Sequence, residues 1–343
     1  MAMNFKRRLP IPMEVKQMYP LTEAAAETKQ KTDREVRDIL TGKDGRKLLI
    51  IGPCSADDPD AVFSYCEKLK RAQERVEEKL LLIPRVYTNK PRTTGEGYKG
   101  LFNQPDPTAK PDPFNGILAA RRLHVDILTQ LGLSTADELL YPADHRYFSD
   151  LLSYVTVGAR STEDQEHRIV ASGIPEAVGM KNPTGGYLTV MLNSIRAAQT
   201  AHEFLYRGWD VSTTGNDLAH GILRGYTNKR GEHRPNIGFD DLRLLCGLYK
   251  DAELKNPAFL VDVNHDNSGK DCFRQPENCF DVLRSAEKDA EIAALFKGFM
   301  IESYLYDGAR KIGDGGKAGC SITDPCLGWE KTEKLICEIA DIV

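Results

Sequence analysis

From about residue 46 onward, short apolar or β-branched runs alternate with longer stretches whose apolar residues recur at helical spacing. That pattern belongs to repeated βα units around a parallel sheet. The runs are Lys47 to Gly52, Leu80 to Tyr87, Ala136 to Leu140, Val155 to Ala159, Ala177 to Met180, Gly221 to Leu223, Ala258 to Val263 and Phe296 to Ile301. A stretch from Asp58, and those over Gly116 to Leu131, Asp164 to Ser172, Val190 to Phe204, Asp240 to Lys250 and Phe280 to Leu295, read as helices. About eight strand runs is the number that closes a barrel, so the predicted class is α/β with a TIM (β/α)8 fold.

Two parts fall outside the repeat. Residues 1–45 precede the first strand and hold the helix-like Leu21 to Leu40, an N-terminal extension read as an oligomer or regulatory contact. Within the catalytic barrel, 46–343, the segment 204–219 (FLYRGWDVSTTGNDLA) is rich in aromatic and β-branched residues and predicts an added hairpin. The loop after the second run, about 27 residues with Pro, Gly and Thr, has a length that marks function.

In such a barrel the C-terminal ends of the strands face the active site. Here the runs end at Cys54, Arg85, Glu138, Arg160, Lys181, Arg224, His265 and Glu302. Cys54, His265 and Glu302, with Asp324 in the loop after the last strand, combine thiolate, imidazole and carboxylate. That mixture suits a divalent ion such as Mn, Fe, Co or Zn. Singly, Cys54 reads first as a buried thiol and His265 as a satisfied loop histidine; taken together at matching strand ends they read as metal ligands. Arg85, Lys90, Arg92, Lys99, Arg160, Lys181 and Arg224 form a cationic set, whose crowding implies polyanionic substrates. In Lys90-Pro91-Arg92-Thr93-Thr94, the proline extends Lys90 and presents two cations and a hydroxyl at a set spacing, suited to a phosphate.

Composition narrows the class further. The chain has 343 residues, 41% hydrophobic, enough for one large core, and a formal net charge of -4 that offers no reason to seek nucleic acid or anionic membrane. No segment approaches roughly 18 uncharged apolar residues and the first ten lack a signal-like apolar core, so a cytoplasmic location is expected. Eight scattered cysteines without a CxxC pair point to reduced thiols.

Nine motifs, in order along nearly the whole chain, make the sequence resemble the type I 3-deoxy-D-arabino-heptulosonate 7-phosphate synthases. They are GPCS (52–55), RVYTNKPRTT (85–94), YKG (98–100), GARSTEDQEHR (158–168), MKNPTGG (180–186), ILRG (222–225), NHDNSGK (264–270), MIESYL (300–305) and SITDPCLGWE (321–330). The resemblance implies a TIM barrel that condenses phosphoenolpyruvate with erythrose 4-phosphate. It implies Cys54, His265, Glu302 and Asp324 as metal ligands, and Arg85, Lys90, Arg160, Lys181 and Arg224 around phosphoenolpyruvate. Arg92, Thr93 and Asp324 would hold erythrose 4-phosphate, with Lys90, His265 and Asp324 as catalytic residues. A homodimer or homotetramer and an aromatic amino-acid inhibitor are implied as well. Cys320, Pro325 and the stretch Tyr141 to Arg146 differ from the feedback-regulated bacterial pattern and leave the inhibitor's identity open.

Two other readings compete. A related synthase would take arabinose 5-phosphate, but its counterpart of the 90–94 loop has a different residue order. A non-catalytic sugar-phosphate sensor would lack a rim residue, and none is missing.

Overall fold

A computed structural model describes residues 3–343. Eight parallel strands lie at its centre: β1 Lys47–Gly52, β2 Leu80–Pro84, β3 Thr135–Glu138, β4 Leu152–Val157, β5 Ala177–Lys181, β6 His220–Leu223, β7 Phe259–Asp262 and β8 Phe296–Glu302. They pair in the order β2-β1-β8-β7-β6-β5-β4-β3. The two ends meet where Arg85 bridges Ala136 and the Val86 N–H donates to the Ala136 carbonyl at 2.9 Å, so the sheet closes as a TIM barrel.

Alternation along the strands builds two packing layers. Leu48 and Ile50 of β1 turn inward and share a cluster with Ile83, Ala136, Tyr154, Ile222, Leu260 and Met300. Leu49 and Ile51 turn outward into the larger cluster beneath the helices. Helix Pro59–Val76 starts where sequence chemistry asks: Asp58 accepts from the Ala61 N–H at 3.0 Å and Pro59 takes the first position.

The expected hairpin is present as Glu203–Tyr206 paired antiparallel with Trp209–Ser212, turning through Arg207 and Gly208, both at positive φ. A second, shorter hairpin, Tyr226–Thr227 with His233–Arg234, follows β6; strands of two residues carry no readable alternation. The helix expected over Phe280 to Leu295 is two, Gln275–Lys288 and Ala290–Leu295. Between them Asp289 turns to extended backbone and caps the second, accepting from Glu291 and Ile292 N–H groups. Among the described residues no helix is long and apolar enough to cross a membrane.

Of the extension 1–45, residues 1 and 2 lie outside the described residues. Helix Glu23–Leu40 sends Val36, Ile39 and Leu40 into the cluster that fills the barrel interior. It is also held by charge. Lys29 Nζ lies 3.2 Å from Glu176 Oε1 and 2.7 Å from Asp33 Oδ2, and the Glu176 side chain is wholly buried. His145 Nε2 also faces Glu176 Oε2 at 3.3 Å, but removing Lys29 takes away the permanent cation beside a buried carboxylate. Lys29→Met is therefore expected to cost about 3 kcal/mol, read as a lower urea midpoint; a midpoint equal to wild type would contradict this role.

Candidate active site

At the C-terminal mouth a cavity of about 300 Å³ is lined by Arg85, Lys90, Arg92, Thr93, Arg160, Lys181, Arg224, His265 and Asp324. Cys54 and Glu302, both fully buried, lie beneath that lining. Every site residue expected from the sequence thus converges on one place except Lys99, whose ammonium instead donates to the Gly95 carbonyl inside its own loop. The 85–112 loop is tied down at its start, where the Thr88 N–H donates to Asp137 Oδ1 at 2.9 Å. Further along, Arg92 Nε donates to the Tyr98 carbonyl at 2.7 Å, which aims the guanidinium over the cavity.

Ligand atoms of Cys54, Glu302 and Asp324 all lie within 4.8 Å of one another, close enough to share one metal ion. His265 stands at the edge of this group, with Nε2 3.8 Å from Glu302 Oε1 and Nδ1 2.8 Å from Asp262 Oδ2. An imidazole whose second nitrogen faces a carboxylate is the usual arrangement of a metal-binding histidine. Glu302 Oε2 accepts from Asn264 Nδ2 at 2.6 Å, while the buried Oε1 makes no aligned hydrogen bond and faces only the Arg85 guanidinium, at 2.8 Å, and His265. That oxygen, with thiol and carboxylate beside it, fits a divalent cation.

Lys90 Nζ lies 2.6 Å from Cys54 Sγ and 4.0 Å from Asp324 Oδ2. Burial pushes the Cys54 thiol up to about 12, Glu302 adding to the effect and Lys90 opposing it. For Asp324 burial also acts upward, but Lys90, His265 and Lys270 outweigh it and hold the carboxyl at about 2. Glu302 likewise is held below the ordinary carboxylate value against its burial by Arg85, His265 and Lys90.

The cations of the mouth are not bare. Arg85 Nη1 is 2.8 Å from Glu302 Oε1, and its guanidinium stacks 3.9 Å from the Tyr87 ring. Lys181 Nζ donates to Asp262 Oδ2 at 2.8 Å, and Arg224 Nη1 donates to Asp266 Oδ2. Burial would raise the Asp262 carboxyl, but His265 and Lys181 drive it far below the ordinary range. Arg160 and Lys270, by contrast, are exposed at the rim.

Asp262, Asp266, Asn264 and Lys270 escaped sequence reasoning. An acid closing the otherwise apolar β7 (FLVD) was a usable signal for Asp262; the other three lie in the NHDNSGK motif, 264–270, which marked the segment but gave them no role.

A TIM barrel that sets donors for one divalent cation beside fixed cations enough for two anionic groups defines a metal-assisted enzyme of small phosphorylated substrates. Residues 23–336 match the DAHP synthetase I family, and the chain belongs to it. It is 38% identical over 340 residues to the phospho-2-dehydro-3-deoxyheptonate aldolase of Haemophilus influenzae, covering 97% of this chain and 91% of that protein. Identity to the Trp-sensitive aldolase of Escherichia coli K12 is 35%, over 97% and 94% of the two chains. The solved aldolase of Francisella tularensis superposes with a TM-score of 0.92 at 32% identity, covering 99% of this chain and 98% of that one.

A divalent ion held by this group would displace the proton of Cys54, since Asp324 and Glu302 are held below the ordinary carboxylate range. Mn binding measured by calorimetry is expected to tighten about tenfold per pH unit between roughly pH 7 and 8.5. Cys54→Ala should bind far more weakly and lose that slope. A pH-independent affinity, or unaltered binding in Cys54→Ala, would contradict the ligand set.

Proposed function

We infer that the chain condenses phosphoenolpyruvate, erythrose 4-phosphate and water to 3-deoxy-D-arabino-heptulosonate 7-phosphate and phosphate, the first step of the shikimate route to aromatic amino acids. The observation that carries this reading is the single cavity in which Cys54, Glu302 and Asp324 adjoin two groups of cations, one around Arg85, Lys181 and Arg224 and one at Arg92. Arg85, Lys90, Arg160, Lys181 and Arg224 take the phosphate and carboxylate of phosphoenolpyruvate. Arg92 and Thr93 take the phosphate of erythrose 4-phosphate, with Asp324 near its aldehyde.

Cys54, His265, Glu302 and Asp324 would hold the divalent ion, Mn, Fe, Co or Zn, which would supply Lewis acidity toward the aldehyde. C3 of the enol phosphate attacks the aldehyde carbon, water adds at C2, and phosphate leaves by C–O cleavage. Lys90, His265 and Asp324 surround the reacting centre and carry its charge and proton traffic. Because Arg85, Lys181 and Arg224 are already locked on carboxylates, their remaining donors are oriented before substrate arrives.

The extension 1–45 and the 204–219 hairpin serve as a subunit or regulatory contact in a cytoplasmic homodimer or homotetramer. Supporting this, Met3, Phe5, Leu205 and Trp209 on the two additions are 75%, 91%, 82% and 69% exposed, large apolar side chains that a subunit contact would cover. An aromatic amino acid is the expected inhibitor; the Escherichia coli relative is called Trp-sensitive.

Loss of the enol phosphate's ultraviolet absorbance, followed with Mn present, should show erythrose 4-phosphate preferred over arabinose 5-phosphate by kcat/KM. The added carbon displaces either the phosphate from Arg92 or the aldehyde from the ion, and misplacements of about 1 Å are costly. Equal or reversed preference would defeat the assignment.

A further inference from the structure

Arg224 is a cation of the mouth whose carboxylate partner is itself held by a hairpin. Its carboxylate partner Asp266 is 2% exposed, and the same carboxylate is reached from the short hairpin after β6. His233 Nδ1 donates to Asp266 Oδ1, and Thr227 Oγ1 donates to that oxygen at 3.4 Å. Asp266 is therefore a bridge. One oxygen holds Arg224 and the other is held by the two strands of the hairpin.

The hairpin is built to keep that grip. Gly225, at φ +74°, starts it, and a Cβ there would meet the Asn267 nitrogen at 2.5 Å, so the chain can pass this close to the β7 loop only as glycine. The Thr227 N–H donates to the Thr184 carbonyl at 2.9 Å, tying the first strand to the loop after β5. At the base, Asn236 Oδ1 accepts from the Gly225 N–H at 2.8 Å, and the Asn236 N–H donates to Asn267 Oδ1 at 2.9 Å. The tip closes on itself, with Asn228 Oδ1 accepting from the Arg230 and Glu232 N–H groups. Such a hairpin transmits position to Asp266 instead of wandering.

We propose that His233 is a positioning residue for the enol-phosphate donor: acting through Asp266, it fixes the plane of the Arg224 guanidinium that receives the donor's anionic group. The inference rests on the functional reading above and adds to it a residue that touches no substrate. A guanidinium recognises phosphate or carboxylate by two parallel N–H bonds, so its orientation matters as much as its charge. With Arg224 Nη1 spent on Asp266, rotation of the carboxylate carries the remaining donors with it. His233 is 35% exposed in its side chain, and its replacement leaves no buried cavity.

The experiment compares wild type, His233→Ala and His233→Asn as Mn-loaded proteins, with kcat and both KM values from the absorbance assay and phosphoenolpyruvate binding from calorimetry. His233→Ala is expected to raise KM and Kd for phosphoenolpyruvate about tenfold, the usual scale for a lost hydrogen bond to a charged group. KM for erythrose 4-phosphate and the affinity for Mn should stay within about twofold. His233→Asn, whose amide nitrogen can stand where Nδ1 stood, should recover most of the loss. Unchanged phosphoenolpyruvate constants in His233→Ala would overturn the proposal. So would a loss shared equally by both substrates and the metal, or one that Asn does not restore, because each describes mere damage to the hairpin. Wild type inactive on both substrates would overturn the functional reading instead; an active wild type matched in every constant by His233→Ala would overturn this inference alone.

Discussion

Arg85 and Glu302 face each other at 2.8 Å, the one 2% and the other 0% exposed, and neither could remain charged at that depth without its partner. The same constraint recurs around the mouth. Asp262, wholly buried, stands between Lys181 and His265; Asp266 stands between Arg224 and His233. A concentration of positive charge large enough to hold polyanions is kept in a low-dielectric cleft because carboxylates behind it balance the cations and hold their geometry. Crowding of bare cations, the argument available from sequence, misdescribed this: each inner cation has an acid of its own.

Barrel register delivers those neighbours. Gly52 of β1 pairs with Glu302 of β8, and Ile51 with Pro84, so Cys54, Arg85 and Glu302 leave three adjacent strand ends together. Gly52 also lets the strands approach, since a Cβ there would meet the Arg85 carbonyl oxygen at 2.4 Å. On the other side of the mouth Lys181 pairs with Ile222, and Leu223 with Val261, which brings Lys181, Arg224 and Asp262 onto consecutive strands. Ligand donors and anion-holding cations are thus consequences of one closed sheet.

How much of this was legible in the sequence follows from the range of the forces concerned. Strand runs such as KLLIIG announce themselves because burial on both faces demands continuous apolar residues, and their last residues named nearly the whole mouth. The donor set of Cys54, His265, Glu302 and Asp324 was readable as chemistry, yet the tight group is Cys54, Glu302 and Asp324, with His265 offset toward Asp262. Asp262 and Asp266 were passed over because their partners, Lys181 and Arg224, lie about 80 and 40 positions earlier in the chain. The hairpin at 226–234 was invisible for a different reason: its pairing is held by side-chain bonds to Asp266 and Asn267, not by any periodicity. Helix Glu23–Leu40 was seen as an addition, and its apolar stripe gave no sign that Val36, Ile39 and Leu40 fill the barrel interior.

The most direct test of the metal-and-cation site is anomalous diffraction at the Mn edge from a crystal grown with Mn and phosphoenolpyruvate. One strong peak is expected at about 2–2.5 Å from Cys54 Sγ and from carboxylate oxygens of Glu302 and Asp324, with the donor's anionic groups resting on Arg85, Lys181 and Arg224. A peak bound elsewhere, or phosphoenolpyruvate lodged away from those three cations, would contradict it.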